Sequence, residues 1–153
     1  KASDLFIPIA RVVKLRLGVI LDPNFGALPR IAGMIKNRLG SPLGTGKQYM
    51  PWIHIQDAVE LFYQVIIGEQ FSGIYNAVSN DIITNAELTH RIGQVLNRKI
   101  WLPNVPSFLL KFLYGEMADT ILKGVKVSNK KLKSTDFTFK YENLDQALRE
   151  IFH

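Results

Sequence analysis

From Ala10 to Leu21 the chain reads ARVVKLRLGVIL, a largely apolar run rich in β-branched residues. Such a run suits a strand buried on both faces of a parallel sheet. Asp22, Pro23 and Asn24 end it with turn chemistry. Leu28, Ile31, Met34, Ile35 and Leu39 then predict a helix, with Pro29 suited to its first turn. Lys36 and Arg38 suit the negative end of its dipole, and Gly40 stops it. In YMPWIHIQDAVELF, Tyr49 to Phe62, Met50, Trp52 and His54 alternate with Pro51, Ile53 and Ile55, the period of a strand. At Asp57 the period changes, and Ala58, Leu61, Phe62, Val65 and Ile66 follow helical spacing. Asp57 with Glu60 fits an acidic N-cap and its partner, so Asp57 reads as a cap rather than a catalyst.

The remainder alternates in the same way. GIYNAVS, Gly73 to Ser79, predicts a second buried strand. Thr84 and Glu87 form a capping box for a helix through Leu88, Ile92, Val95 and Leu96. KIWLP, Lys99 to Pro103, predicts a brief strand. Ser107 to Gly124 carries a dense apolar face ending at glycine. A short basic helix around Lys130 to Lys133, an alternating strand FTFKY (Phe137 to Tyr141) and a terminal helix through Leu144, Leu148 and Ile151 complete the pattern.

Composition narrows the function classes. With 47% hydrophobic and 21% charged residues in 153, the chain is globular and can bury a core. No apolar run approaches the ~20 residues of a membrane-spanning helix. The opening KASDLFIPIARVV lacks a signal-peptide layout and reads as entering the last turn of a helix, so the chain is expected to be a piece of a longer protein. Cysteine is absent, which excludes disulfides and thiolate sites and fits a reducing, cytoplasmic setting. His54, His90 and His153 have no paired spacing, so no metal site is expected. Residues 98–140 hold nine Lys/Arg against three Asp/Glu, while the rest balances. The absence of arginine clustering and of an aromatic platform argues against nucleic acid as a partner.

The glycine-rich GSPLGTGKQ, Gly40 to Gln48, imitates a phosphate loop but fails its spacing. Gly40 and Gly46 are separated by five residues, and Lys47 is followed by Gln48. No GxGxxG occurs anywhere. This loop is expected to be flexible and surface-lying, able to touch a ligand.

Together LRLGVIL (Leu15 to Leu21), GTGKQYMPWIHIQDAVELF (Gly44 to Phe62), GIYNAVSNDIITNAEL (Gly73 to Leu88) and the segment Val105 to Tyr141 resemble one family. It is the C-terminal half of an extended short-chain dehydrogenase/reductase, of the NAD(P)-dependent epimerase/dehydratase family. The last segment is similar to the extra terminal module of a subgroup described as nucleoside-diphosphate-sugar epimerases. The resemblance implies an α/β fold: the C-terminal strands of a Rossmann-type sheet, a mainly helical substrate-side region and a small α+β module. The expected division is residues 1–97 and 98–153.

Family enzymes use a tyrosine acid/base and a lysine four residues later, whose charge lowers the phenol pKa. Here the residues four beyond Tyr49, Tyr63, Tyr75, Tyr114 and Tyr141 are Ile53, Ile67, Ser79, Ala118 and Asp145. No catalytic residue is therefore assigned, and this chain alone is expected to be inactive and to bind no cofactor, NAD or NADP being bound by the full-length protein. By the resemblance, Gly18, Val19 and Ile20 lie near the nicotinamide. Arg16 either faces an acidic ligand group or pairs with a carboxylate at the sheet edge. Gln48, Trp52 and His54 are the candidates for contact with a small-molecule substrate, a nucleotide sugar in this family. Core packing is the alternative for Trp52, and a structural hydrogen bond under the helix start for His54. Two other readings stand beside this one: a non-catalytic binding module using the basic region, and a homo-oligomer formed through apolar faces left bare.

Overall fold

The computed structural model describes residues 11–153. The reading of the opening segment as a helix end lies outside the described residues. The apolar run forms two strands rather than one, β1 (Val13–Leu17) and β2 (Val19–Leu21). β3 (Trp52–His54) pairs in parallel with β2, and β4 (Gly73–Ala77) in parallel with β1. Gly18 is where the partner changes. Its N–H donates to Ala77 O at 3.2 Å, and the next N–H, of Val19, donates to Pro51 O at 2.7 Å. A Cβ at Gly18 would stand 2.6 Å from Pro51 O and 3.0 Å from Trp52 N, so only glycine lets the two segments converge.

Seven helices are described: α1 (Ala27–Lys36), α2 (Ile55–Ile67), α3 (Asn85–Val95), α4 (Ser107–Tyr114), α5 (Met117–Lys123), α6 (Lys130–Lys133) and α7 (Leu144–Phe152). Pro29 falls in the first turn of α1, as expected. The capping box of α3 is formed as read: Thr84 Oγ1 accepts from Glu87 N, and Glu87 Oε2 accepts from Thr84 N.

Two cores lie on either side of β3. Trp52 joins Leu21, Leu28, Ile35, Leu88 and Ile92, against Leu144 and Leu148 of α7. Ile53 faces the opposite way, into Leu61, Phe71 and Tyr75, against Leu132, Phe137 and Phe139. Alternation along three residues therefore feeds two separate cores, and both faces of the strand are buried. Both cores combine residues from before and after position 98. Fully burying an aliphatic or aromatic side chain contributes roughly 1.5–3 kcal/mol, so α7 and the Phe137–Phe139 segment are integral to the packing.

Several sequence expectations are corrected. Lys99 to Pro103 forms no strand; nearby, only an isolated parallel bridge joins Leu43 to Val105. The apolar stretch Ser107 to Gly124 is two helices, broken at Gly115, whose φ of 54° no helix accommodates. The glycine-rich loop is not simply superficial: Gly40, Pro42, Gly46 and Gln48 are buried. Phe137 to Tyr141 alternates in burial as a strand would but pairs with no strand. Finally, Asp57 does not cap α2. The helix begins two residues earlier, and its cap is His54.

Candidate functional site

The WIHIQD segment builds a junction at the strand-to-helix corner. His54 has extended backbone, and its Nδ1 accepts the Gln56 N–H at 3.2 Å, satisfying one of the free donors at the start of α2. An accepting Nδ1 places the ring proton on Nε2, which donates to Glu150 Oε2 at 2.9 Å. The imidazole also lies against Tyr141, with ring centroids 4.0 Å apart. His54 is 1% exposed. Burial pushes its pKa below the ordinary 6.5, outweighing the opposing pull of the Glu150 carboxylate. Both ring nitrogens are engaged, so in this geometry His54 is a neutral strut holding α7.

Gln56 and Asp57 work in the same direction. Gln56 Nε2 donates to Glu150 Oε1 at 3.2 Å, while its Oε1 accepts from Lys140 Nζ at 3.0 Å and the Tyr141 hydroxyl at 3.3 Å. Asp57, 2% exposed, accepts two backbone N–H groups, from Lys140 at 2.8 Å and Tyr141 at 3.1 Å. This explains the missing strand: Asp57 provides the acceptors that a neighbouring strand would otherwise supply to these extended residues. The loop after β4 makes the same commitment. Ser79 Oγ donates to Glu142 O at 2.7 Å, Asp81 Oδ2 accepts from Leu144 N at 3.0 Å, and Asn129 Nδ2 donates to Val78 O at 2.9 Å.

Trp52 is 1% exposed, and its Nε1–H donates to Asp81 O at 3.1 Å. Its ring lies within the first core. Gln48 is buried beneath α5's end. Its Nε2 donates to Leu43 O at 3.0 Å, but its Oε1 is buried without a partner. Gly124, at φ 30°, lies directly on this segment: a Cβ there would stand 2.6 Å from Gln48 Cβ and 2.7 Å from the Tyr49 backbone. Arg16 is exposed and stands opposite Asn76 in the β1–β4 register. The N–H groups of Gly18 and Val19 are both engaged within the chain, so neither is free to donate elsewhere.

Thus Trp52 and His54 are brought together with Asp57 and the C-terminal segment, whereas Arg16 stands in the other two-stranded sheet and Gln48 at the end of the glycine-rich loop, beneath α5's end. Glu150, Lys140 and Tyr141 were not singled out from the sequence. Glu150 lies 96 residues from His54, and nothing in its local pattern marks it. Among the described residues, no group of three or more His, Cys, Asp or Glu side chains is placed to hold a metal ion. No helix among them is long and apolar enough to cross a membrane.

Residues 105–151 match a domain of unknown function, DUF1731. Curated relatives include the Arabidopsis thaliana protein "Epimerase family protein SDR39U1 homolog, chloroplastic", 38% identical over 92% of this chain and 40% of its own. The Homo sapiens epimerase family protein SDR39U1 is 32% identical, over 92% of this chain and 48% of its own. The chain spans about half the length of the curated relatives it matches. A crystal structure of the human protein with NADPH superposes with a TM-score of 0.87 at 32% identity, covering 92% of this chain and 48% of that one. A nucleoside-diphosphate sugar epimerase from Corynebacterium glutamicum gives 0.72 at 24% identity, over 99% of this chain and 28% of that one, a likeness of fold alone.

Proposed function

We infer that this chain, which matches the C-terminal part of the NAD(P)-dependent epimerase family, forms the substrate-side wall of a nucleoside-diphosphate-sugar epimerase or reductase. The human relative solved with NADPH supports the cofactor class. The observation that carries the reading is the superposition of 92% of the chain on that relative. The chain contains neither GxGxxG nor a tyrosine followed four residues later by lysine, so cofactor capture and proton transfer are not proposed for its own residues. Alone it is proposed to be inactive. When bound, the nicotinamide supplies hydride exchange; Gly18, Val19 and Ile20 are proposed to line its edge by close backbone approach.

For the substrate, Arg16 offers an exposed cation and Gln48 a buried carbonyl oxygen without a donor. Arg16 and Gln48 are proposed as contacts, with Trp52 and His54 bracing the wall from beneath. A soluble, reducing compartment, cytoplasmic as the cysteine-free sequence suggests, is proposed as the setting; the Arabidopsis relative's name places that protein in the chloroplast. Titrating the full-length reading frame and the 153-residue chain with NADPH and NADH tests the reading. Binding by the former and not the latter is expected; full-length protein that binds neither would overturn it.

A second reading rests on α2, whose outer face exposes Val59, Phe62, Tyr63 and Ile66 at helical spacing. This stripe is proposed as a self-association surface. Sedimentation of the protein and of a Phe62→Glu/Ile66→Glu variant tests it: concentration-dependent mass is expected, lost in the variant, and a monomer throughout overturns it.

A further inference from the structure

The arginines are scattered in sequence, yet the fold gathers several of them. Where α1 and α3 end and α7 runs past, two depressions of about 460 and 250 Å³ meet at Asn97. Arg38, Arg98, Lys99 and Trp101 line the smaller; Gln94, Arg149 and His153 lie along the larger. Together they reach the range of about 300–1,000 Å³ typical of small-molecule clefts. Arg38, Arg98, Lys99 and Arg149 are exposed, and none forms an ion pair among the described residues. Asp145, the acid in the groove, is engaged by Arg91 at 3.5 Å, so the groove's own cations are left uncompensated.

Cations at helix C-termini complement the dipole, and this accounts for part of the placement. It does not account for the indole. Trp101 is 65% exposed, whereas Trp52, the other tryptophan, is 1% exposed. Arg38 (φ 62°) and Asn97 (φ 53°) are the described non-glycine residues in left-handed conformation, and both line this groove. Each follows its helix's C-cap and closes a Schellman turn, Leu39 N–H donating to Met34 O at 2.8 Å and Arg98 N–H to Gly93 O at 2.8 Å, and these two turns bring Arg38 and Asn97 to the groove.

We propose that this groove binds a nucleoside phosphate, as a free nucleotide or as part of a single-stranded nucleic acid. The Trp101 face stacks a planar base, the guanidinium forks of Arg38 and Arg98 with Lys99 take the phosphate, and the Gln94 and Asn97 amides meet polar base edges. The proposal is independent of the epimerase reading, since it uses none of the residues assigned to that wall.

Trp101 is its own reporter, because the other indole is sealed in the core. The protein is titrated with AMP, ATP, inorganic phosphate and a ten-nucleotide single-stranded RNA while indole fluorescence is followed. Saturable quenching by the nucleotides, weakened at least tenfold in an Arg98→Ala/Lys99→Ala variant, supports a free-nucleotide ligand, and calorimetric titration of Trp101→Ala with AMP is expected to show a weakening of similar size. Quenching by the RNA alone, with affinity falling steeply as salt rises, supports a strand as the source. No saturable quenching by either, quenching that the double variant leaves unchanged, or quenching by inorganic phosphate as strong as by AMP overturns the proposal. All three side chains are exposed, and retention of the wild-type unfolding transition verifies that the variants fold.

Discussion

Asp57 and Tyr141 stand 84 residues apart, yet the carboxylate of the first accepts the buried backbone N–H of the second at 3.1 Å. With the neighbouring bond to Lys140 N at 2.8 Å, one acid at the start of α2 anchors the extended segment that precedes α7. Removing it leaves two main-chain donors without acceptors. Asp57→Ala is expected to destabilise the fold by about 3 kcal/mol, because each unsatisfied buried donor costs roughly 1–3 kcal/mol. A urea unfolding series measures this; a loss below about 0.5 kcal/mol would show that the bonds do not anchor the segment.

Acid is expected to loosen the same junction. The folded-state pKa of His54 lies below the unfolded 6.5, chiefly through burial. The unfolded chain therefore binds more protons than the folded one between the two values. The contribution of His54 to stability is complete above pH 6.5 and declines as pH falls through the lowered folded value. Protonation of Nδ1 also removes the acceptor for Gln56 N. Urea midpoints at pH 7.5, 6.5 and 5.5 should fall toward acid in the wild type and flatten in His54→Gln; parallel pH dependence in both would refute the assignment.

Gly18→Ala tests the change of strand partner. The added methyl would meet backbone atoms of Pro51 and Trp52 at 2.6–3.0 Å, neither of which can turn aside as a side chain would. Overpacking of this kind costs about 1–3 kcal/mol. Thermal unfolding should report a lowered midpoint, and an unchanged one would mean that β2 and β3 shift without penalty.

Two helical glycines should respond oppositely to the same substitution. Gly33, within α1, has open space where a Cβ would stand, so Gly33→Ala is expected to stabilise by about 0.5–1 kcal/mol. Gly93, in α3, would place its Cβ 2.7 Å from Arg98 O, and Gly93→Ala is expected to destabilise. Denaturant midpoints of both variants decide it; equal signs would refute the distinction.

Thr84→Ala removes the hydroxyl that accepts Glu87 N and leaves only the backbone arm of the capping box, at a cost of about 1 kcal/mol. The Glu87 carboxyl is held below its usual range first by the Thr84 backbone N–H, which the variant keeps, and then by the Thr84 hydroxyl, which it loses, so its titration should move only part of the way toward normal values. Carboxyl-resolved NMR titration reads that shift, and an unmoved titration would place the cause elsewhere.

Local pattern and chain-wide packing contributed differently to these outcomes. Helix periodicity in α1, α2, α3 and α7, and the Thr84–Glu87 box, were legible because their partners lie within four residues. The same grammar misassigned Asp57, since an acid near a helix start looks like a cap whether its oxygens turn inward to the helix or outward to residues 140 and 141. It read Phe137 to Tyr141 as a strand for a related reason: alternating burial is genuine there, but the hydrogen-bond acceptor is a carboxylate.

The candidate site divides along the same line. That Trp52, His54 and Asp57 lie at one strand-to-helix corner was visible from adjacency. That His54, Gln56 and Asp57 face Lys140, Tyr141 and Glu150, and that Arg38, Arg98, Arg149 and Trp101 share a groove, was not. By itself the sequence determined the principal helices, the missing tyrosine–lysine pair and the absence of a nucleotide loop, because each depends on residue type at short spacing. Only the tertiary structure decided which polar groups are buried and which atoms meet them. Desolvation and hydrogen-bond partners are properties of the assembled chain, set by contacts across more than eighty residues that no local window contains.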